Sequence, residues 1–156
     1  MRREDISLAV SNVGWLHAED DPRQPTLSLR LADASETLVE RLRTKDGEPL
    51  DADETDVTFR LHDDAEHEDA TGVVAVTNRI TGEYVLECNA KAGDVLEFVR
   101  AARRYGEETG ETALYRIELS AGEEAIATYE KRVLLVYGEA GDLLREHSLI
   151  PSGVEI

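Results

Sequence analysis

DVLEFVRAARRYG, residues Asp94–Gly106, has a clear helical period, whereas most other apolar segments of the chain alternate as strands do. Its apolar residues recur at intervals of three and four positions, which places them on one stripe of a helix: Val95, Phe98, Val99 and Ala102. Asp94 can cap the first turn, and Gly106 can take the left-handed conformation that ends a helix. The sequence therefore predicts an amphipathic helix over residues 94–106, with one face in the core.

Three arginines, Arg100, Arg103 and Arg104, lie in the second half of this helix and form the densest basic patch of the sequence. Cations at this end stabilise a helix because they meet the negative end of its dipole. The same patch is a candidate site for an anion or a partner protein. Both interpretations stay open, so these three are the candidate binding residues, and no catalytic residue is predicted.

Segments of alternating apolar residues predict strands before and after the helix. Three antiparallel hairpins are expected, formed by residues 5–16 with 26–31, residues 73–80 with 83–88, and residues 115–119 with 125–129. A change of phase near Asn12 indicates a bulge or bend in the first strand. RVLLVY, Arg132–Tyr137, contains five consecutive apolar residues and is expected to be the most central strand, covered on both faces.

Together these segments predict an α+β fold: a largely antiparallel, meander-rich sheet of about eight or nine strands, with helix 94–106 packed on one face, against RVLLVY. A short second helix is predicted over residues 35–43, started by Asp33 or Ser35. A β-sandwich with a helical insert is the alternative. We expect one domain spanning residues 1–156, because a chain of this length buries enough surface for a single core.

The charge balance is unusual for a folded chain. With 34 acidic and 17 basic side chains, the net charge is -17. This disfavours nucleic acid and anionic membranes as partners, because both require local positive potential. Such a chain also repels itself, and concentrated salt screens that repulsion. Since only Lys45, Lys91 and Lys131 are lysines, the composition predicts a protein adapted to high salt.

The densest cluster of potential metal ligands lies in the loop HDDAEHEDATG, His62–Gly72. Two histidines and five carboxylates crowd there: His62, Asp63, Asp64, Glu66, His67, Glu68 and Asp69. Their spacing matches neither a zinc site nor an EF-hand, so we expect a solvated acidic loop and no metal.

Known catalytic motifs are missing from the sequence. It contains no Walker loop, no G-x-S-x-G elbow and no H-E-x-x-H pair. Cys88 is the only cysteine and is expected to be a small buried hydrophobic residue rather than a nucleophile. We therefore predict no cofactor and regard an enzyme as the less favoured interpretation.

Three stretches carry a resemblance to a known family: MRREDISLAVSNVGW (residues 1–15), GVVAVTNRITGEYVLE (72–87) with the helix that follows, and LLVYGEAGDLLREHSLIPSGVEI (134–156). They look like a family of small acidic haloarchaeal proteins that is classed as a domain of unknown function. The likeness spans the whole chain. The resemblance implies a haloarchaeal source and a cytoplasmic setting, and it brings no activity, cofactor or catalytic residue.

Two functions stay open. The first is a non-enzymatic interaction or scaffold module, in which an edge strand pairs with a partner protein or with a second copy in a homodimer. The second is a small-molecule-binding domain or small enzyme with a pocket between helix and sheet. A cytoplasmic protein is expected, because the N-terminus lacks the apolar segment of a signal peptide and no run approaches the ~20 apolar residues of a membrane span.

Overall fold

The computed structural model describes residues 3–18, 20–33 and 36–154, and within them the chain forms two four-stranded sheets and one long helix. The strands are β1 (Ile6–Ser11), β2 (Thr26–Leu31), β3 (Thr55–Leu61), β4 (Thr71–Asn78), β5 (Tyr84–Lys91), β6 (Tyr115–Ala121), β7 (Glu124–Lys131) and β8 (Leu135–Tyr137). The helices are α1 (Glu36–Arg41) and α2 (Ala92–Thr109). The predicted α+β class is confirmed, and the strands are divided between two sheets rather than joined in one.

The first sheet has the strand order β1-β2-β6-β7. β1 and β2 form a predicted antiparallel hairpin, and so do β6 and β7. The two hairpins are joined through β2 and β6, which run parallel. Along β6, buried and less buried residues alternate strictly, so one face of this sheet lies in the core and the other faces outward.

The second sheet has the order β5-β4-β3-β8. β3, β4 and β5 form an antiparallel meander that includes the predicted β4–β5 hairpin, and β8 lies parallel to β3. In the hairpin turn Gly82 has φ 78, a value that favours glycine. Five consecutive residues of β4, Gly72–Val76, are buried. β4 is therefore the strand that is covered on both faces.

The prediction for RVLLVY was wrong, because β8 covers only the second half of this segment and lies at the edge of its sheet. Leu134 and Val136 enter the core, whereas Leu135 and Tyr137 are half-buried on the other side. The run is apolar on both sides because the outward surface of the second sheet is itself partly apolar, not because the strand is central.

Inner side chains of both sheets, together with the buried stripe of α2, form one hydrophobic cluster. The sheets approach each other where β1 runs beside β5, and there the Cys88 thiol donates to the Ile6 carbonyl oxygen at 3.3 Å. Cys88 is buried, as predicted. Elsewhere Lys131 of β7 donates to the carbonyl oxygens of Ala52 and Thr55 at 2.5 and 2.6 Å. These contacts tie the first sheet to the second.

α2 extends beyond the predicted residues 94–106 at both ends. It begins directly after Lys91, and Asp94 lies inside its first turn, so the predicted cap at Asp94 was wrong. Gly110, at φ 75, ends the helix and donates its N–H to the Gly106 carbonyl oxygen at 3.0 Å. Gly106 stays helical. It has a different role, because a Cβ there would lie 2.5 Å from a methyl carbon of Leu114.

The buried stripe of α2 is as predicted, with Val95, Phe98, Val99 and Ala102 all inside the core. The closest backbone approaches of the helix are to β5, β1 and the 3-10 helix Arg145–His147, and its predicted placement on RVLLVY stays a prediction. Phe98 meets the Tyr115 ring edge-on, with ring centroids 5.4 Å apart. The helix lies beside β5 because it follows this strand without a loop and therefore starts at the edge of the sheet where β5 lies.

Two local predictions near the N-terminus can be compared with the structure. α1 falls within the predicted residues 35–43 and buries Leu38, while a start at Ser35 lies outside the described residues. The bend near Asn12 is confirmed, since this residue has φ 60. β1 ends there and the 3-10 helix Gly14–His17 follows, so residues 13–16 do not continue the strand.

Candidate functional site

The three predicted binding arginines of α2 have different surroundings. The Arg103 guanidinium donates to the carbonyl oxygen of Ser148 at 2.8 Å and to that of Glu146 at 3.4 Å. Arg104 donates to the Glu108 carboxylate one turn later at 3.2 Å. Arg100 is exposed and forms no hydrogen bond or ion pair with the described part of the chain. Arg103 therefore holds the C-terminal segment on the helix, and the binding role of the patch stays a prediction.

A depression of about 680 Å³ lies between the second half of α2 and residues 145–152. Its charged lining consists of Arg103, Glu107, Glu111, Arg145 and Glu146. Carboxylates outnumber cations in this lining, and Arg103 is already bonded to backbone. The face of α2 that points toward the strands is filled by buried side chains. This arrangement provides little for an anionic ligand to bind.

The acidic loop between β3 and β4 uses its polar side chains on its own backbone. Side-chain acceptors there receive backbone N–H groups as follows: Asp63 from Thr71 at 3.2 Å, Asp64 from Glu66 at 3.0 Å, and His67 from Asp69 at 3.2 Å. Asp side chains commonly stabilise loops in this way. These bonds support the interpretation as a solvated loop, and the absence of a metal there stays a prediction.

Within residues 3–18, 20–33 and 36–154, three potential metal ligands converge at one place, where ligand atoms of Asp51, Asp53 and Glu54 lie within 4.8 Å of one another. Glu54 is held there because its carboxylate accepts the Asp51 N–H at 2.9 Å, which caps the 3-10 helix Ala52–Glu54. The helix start therefore explains this convergence without an ion.

Cys88 is buried and Lys131 is half-buried, and neither has the surroundings of a nucleophile. Burial raises the pKa of the Cys88 thiol, which is opposite to the shift that activates a cysteine. Burial lowers the pKa of Lys131, but two backbone carbonyl oxygens hold its ammonium group. Both residues join the two sheets.

Two depressions, of about 590 and 680 Å³, lie side by side on the outward surface of the second sheet and share Thr58 and Tyr137. Neither is lined by a residue of α1 or α2. Because alternate residues of a strand share a face, the pairing of these four strands defines one surface, which we call the outer face. It consists of Asp56, Thr58, Arg60, Val73, Ala75, Thr77, Tyr84, Glu87, Asn89, Leu135 and Tyr137.

The side chains at the centre of the outer face are small and apolar, while those at its margins are larger and carry polar groups. Val73 and Ala75 form the floor and are nearly covered by their neighbours. Around them stand Arg60, Tyr84 and Tyr137, whose side chains make no hydrogen bond or ion pair with the described residues. Tyr84 is 57% exposed. Tyrosine and arginine beside an apolar floor are the composition of binding hot spots.

The lining of the two depressions is neutral as a whole, although the outer face itself carries one cation and two carboxylates. Five cations line its two depressions, namely Arg3, Arg60, Arg79, Lys131 and Arg132. Five carboxylates line them as well, namely Asp53, Asp56, Glu87, Glu130 and Glu139. The whole net charge of -17 therefore belongs to the rest of the chain.

The outward surface of the first sheet is different in character. Arg116 forms an ion pair with Glu130 at 3.0 Å, and the Ser28 hydroxyl donates to the Glu118 carboxylate at 3.5 Å. These polar side chains are bonded to one another, as is usual for a sheet surface in contact with water. The unbonded tyrosines and arginine of the outer face are therefore specific to the second sheet.

Sequence reasoning did not identify the outer face. Its residues come from four strands, and the parallel pairing of β3 with β8 joins segments that are far apart in the chain. Periodicity cannot report such pairing. The one available signal was RVLLVY, where apolar residues on both sides of an edge strand indicate that the outward side also contacts apolar groups.

The described residues define a small α+β protein that is built from two four-stranded sheets and one long helix. The chain belongs to DUF5793, a family of unknown function, whose family model matches residues 1–156. Comparison with curated proteins and comparison with solved structures each give no match. Across the described ranges, no helix is long and apolar enough to cross a bilayer.

Proposed function

We propose that this protein is a non-enzymatic protein-interaction module that binds its partner through the outer face. The observation that carries this proposal is the group formed by Arg60, Tyr84 and Tyr137, which surrounds an apolar floor and has no bonding partner within the described chain. Burying such a group against a partner gains apolar contact area and supplies acceptors for the arginine and tyrosine donors.

We further propose that the protein works in the cytoplasm of a salt-rich, haloarchaeal cell. The net charge of -17 and the scarcity of lysine support this setting. Nucleic acid is not the proposed partner, because the outer face has no excess of positive charge. In concentrated salt the rings of Tyr84 and Tyr137 contribute most to affinity, because they remain accessible and salt weakens long-range attraction but not apolar burial.

The alternative, a small-molecule-binding domain or small enzyme with a pocket between helix and sheet, has weaker support. The side of α2 that faces the strands is filled, and in the lining of the depression on its other side carboxylates outnumber cations. A ligand that bound tightly there and was lost on Glu107→Gln plus Glu146→Gln would favour this alternative.

The proposal is tested by placing a photoreactive phenylalanine analogue at Tyr84, which is exposed and tolerates a ring of similar size. After irradiation of cells or lysate in molar potassium chloride, we expect one dominant protein adduct. The analogue at Thr128, on the outward surface of the first sheet, is the matched control and should give none.

The same analogue at Arg100 tests the arginine patch of α2 directly. A dominant adduct from position 100 and none from position 84, with circular dichroism showing that both variants are folded, would move the binding site to the helix. If neither position gave an adduct, the interaction module would be the wrong interpretation.

A further inference from the structure

We infer that the occupant of the outer face is a second copy of this chain, bound face to face across a twofold axis. This inference rests on the proposed function, because it names the partner of the same surface. It also explains why a chain with so large a net charge keeps one neutral region.

Electrostatics favour this surface for self-association. Two copies that each carry a net charge of -17 repel one another, and this repulsion is weakest where the surface itself carries no net charge. The lining of the two depressions has as many cations as carboxylates, so the surroundings of two facing outer faces add no excess of like charge.

The charges along β3 are self-complementary. Asp56 and Arg60 point to the same side of this strand, with Thr58 midway between them. Consider a twofold axis that runs perpendicular to β3, passes over Thr58 and lies midway between the outer faces of the two copies. Rotation about this axis reverses the direction of β3 in the second copy. Arg60 of each copy then lies over Asp56 of the other, which gives two equivalent ion pairs.

The residues that would lie on this axis are mostly small or apolar. Ala75 and Leu135 are the strand neighbours of Thr58. Leu135 is half-buried and would meet its own counterpart in the other copy, whereas Ala75 is nearly covered and leaves room below the contact. Small side chains allow two sheets to approach to about the 10 Å at which facing sheets pack. Glu87, at the outer end of this row, would also face its own counterpart. The repulsion between the two carboxylates is reduced because each is paired with Arg3 of its own copy at 3.6 Å.

Charge exchange tests the inference, with dissociation measured by analytical ultracentrifugation in molar potassium chloride. We expect a dimer for the unaltered chain. Arg60→Asp and Asp56→Arg should each raise the dissociation constant at least about tenfold, because each places like charges in direct contact. The double variant restores both ion pairs and should return to within about threefold of the unaltered chain.

Circular dichroism establishes that each variant is folded, and Arg23→Asp is the control for an added negative charge on an exposed site without a bonding partner in the described chain. A monomer at every concentration, or a double variant that dissociates as readily as the single ones, overturns the inference. The mass of the adduct from position 84 distinguishes the two proposals. An adduct whose mass is not twice that of the chain would contradict a second copy as the partner but would still support the interaction module.

Discussion

At the scale of single residues, the core depends on one buried phenol. Tyr115 is fully buried, and its hydroxyl donates to the Val133 carbonyl oxygen at 2.6 Å. Its ring also receives the edge of Phe98 from α2. One side chain thus connects the first sheet, the main helix and the segment that leads into β8. Burial, with a smaller contribution from the negative charge of Asp56, raises the pKa of this phenol well above its ordinary value.

Because the folded-state pKa is raised, the contribution of Tyr115 to stability is complete below the ordinary tyrosine pKa of about 10. It is lost as the pH rises above that value, since the unfolded chain then releases the proton and the folded chain keeps it. We expect Tyr115→Phe to cost about 0.5–1.5 kcal/mol at neutral pH, through the lost hydrogen bond.

The free energy of unfolding of Tyr115→Phe should also fall less steeply above pH 10 than that of the unaltered chain. Denaturant titrations at several alkaline pH values in molar salt measure both effects. Tyr84→Phe, at an exposed tyrosine, is the control for the loss of a hydroxyl and should change the free energy of unfolding at neutral pH by no more than about 0.5 kcal/mol. Equal slopes for Tyr115→Phe and the unaltered chain would contradict this account.

At the scale of elements, close approaches between backbones decide where glycine is required. Gly72 lies in β4, and a Cβ there would meet the Arg60 carbonyl oxygen at 2.3 Å and the Phe59 ring at 2.8 Å. Gly93, in the first turn of α2, has open space around the same position. The same substitution should therefore have opposite effects in a strand and in a helix.

Gly72→Ala should cost about 1–3 kcal/mol or more, because a backbone oxygen cannot move aside without breaking the β3–β4 pairing. Gly93→Ala should stabilise by up to about 1 kcal/mol, since alanine loses less backbone entropy in a helix. Thermal unfolding in molar salt measures both. A Gly72→Ala protein as stable as the Gly93→Ala protein would show that β3 and β4 are not packed as described.

Two arginines of α2 are expected to contribute differently to the packing of this element. Arg103→Gln should lower the free energy of unfolding by about 1–2 kcal/mol, because a charged donor to the Ser148 and Glu146 carbonyl oxygens is lost. Arg100→Gln should change it by no more than about 0.5 kcal/mol, as is usual at an exposed site. Chemical denaturation in molar salt distinguishes the two variants. Equal effects would mean that Arg103 does not hold the C-terminal segment.

At the scale of the whole molecule, we expect the charge of -17 to make stability depend on the salt concentration. At about 1 M salt the Debye length is near 3 Å, so carboxylates that are not in direct contact hardly repel one another. In dilute buffer the Debye length is roughly 30 Å, and much of the molecule then repels itself. Folding and the solvent are thus coupled throughout the protein.

We therefore expect the native circular dichroism spectrum to be lost in millimolar salt and recovered in molar potassium chloride. The loss should be cooperative, because both sheets and α2 share one hydrophobic cluster. Molar sucrose in place of the salt is the control for general effects of a cosolute. Cooperative folding in salt-free buffer would contradict the proposed salt adaptation.

How much the sequence predicts depends on the distance over which an interaction acts. The three hairpins and the buried stripe of α2 were predicted correctly because each is encoded by neighbouring residues: alternation, a turn glycine, or a period of three and four. The ends of α2 were less predictable. Gly106 is a glycine after the last periodic residue, which is typical of a helix end, but here a glycine is needed because Leu114 packs closely against it.

The sequence by itself determined the strands, the main helix, the α+β class and the charge, because these follow from local pattern and from composition. The tertiary structure alone decided that the strands form two sheets, that RVLLVY lies at an edge, and that Arg60, Tyr84 and Tyr137 surround one apolar floor. The physical reason is that the parallel pairs β2–β6 and β3–β8 join distant segments. Their partners are selected by burial in the shared core rather than by any local signal.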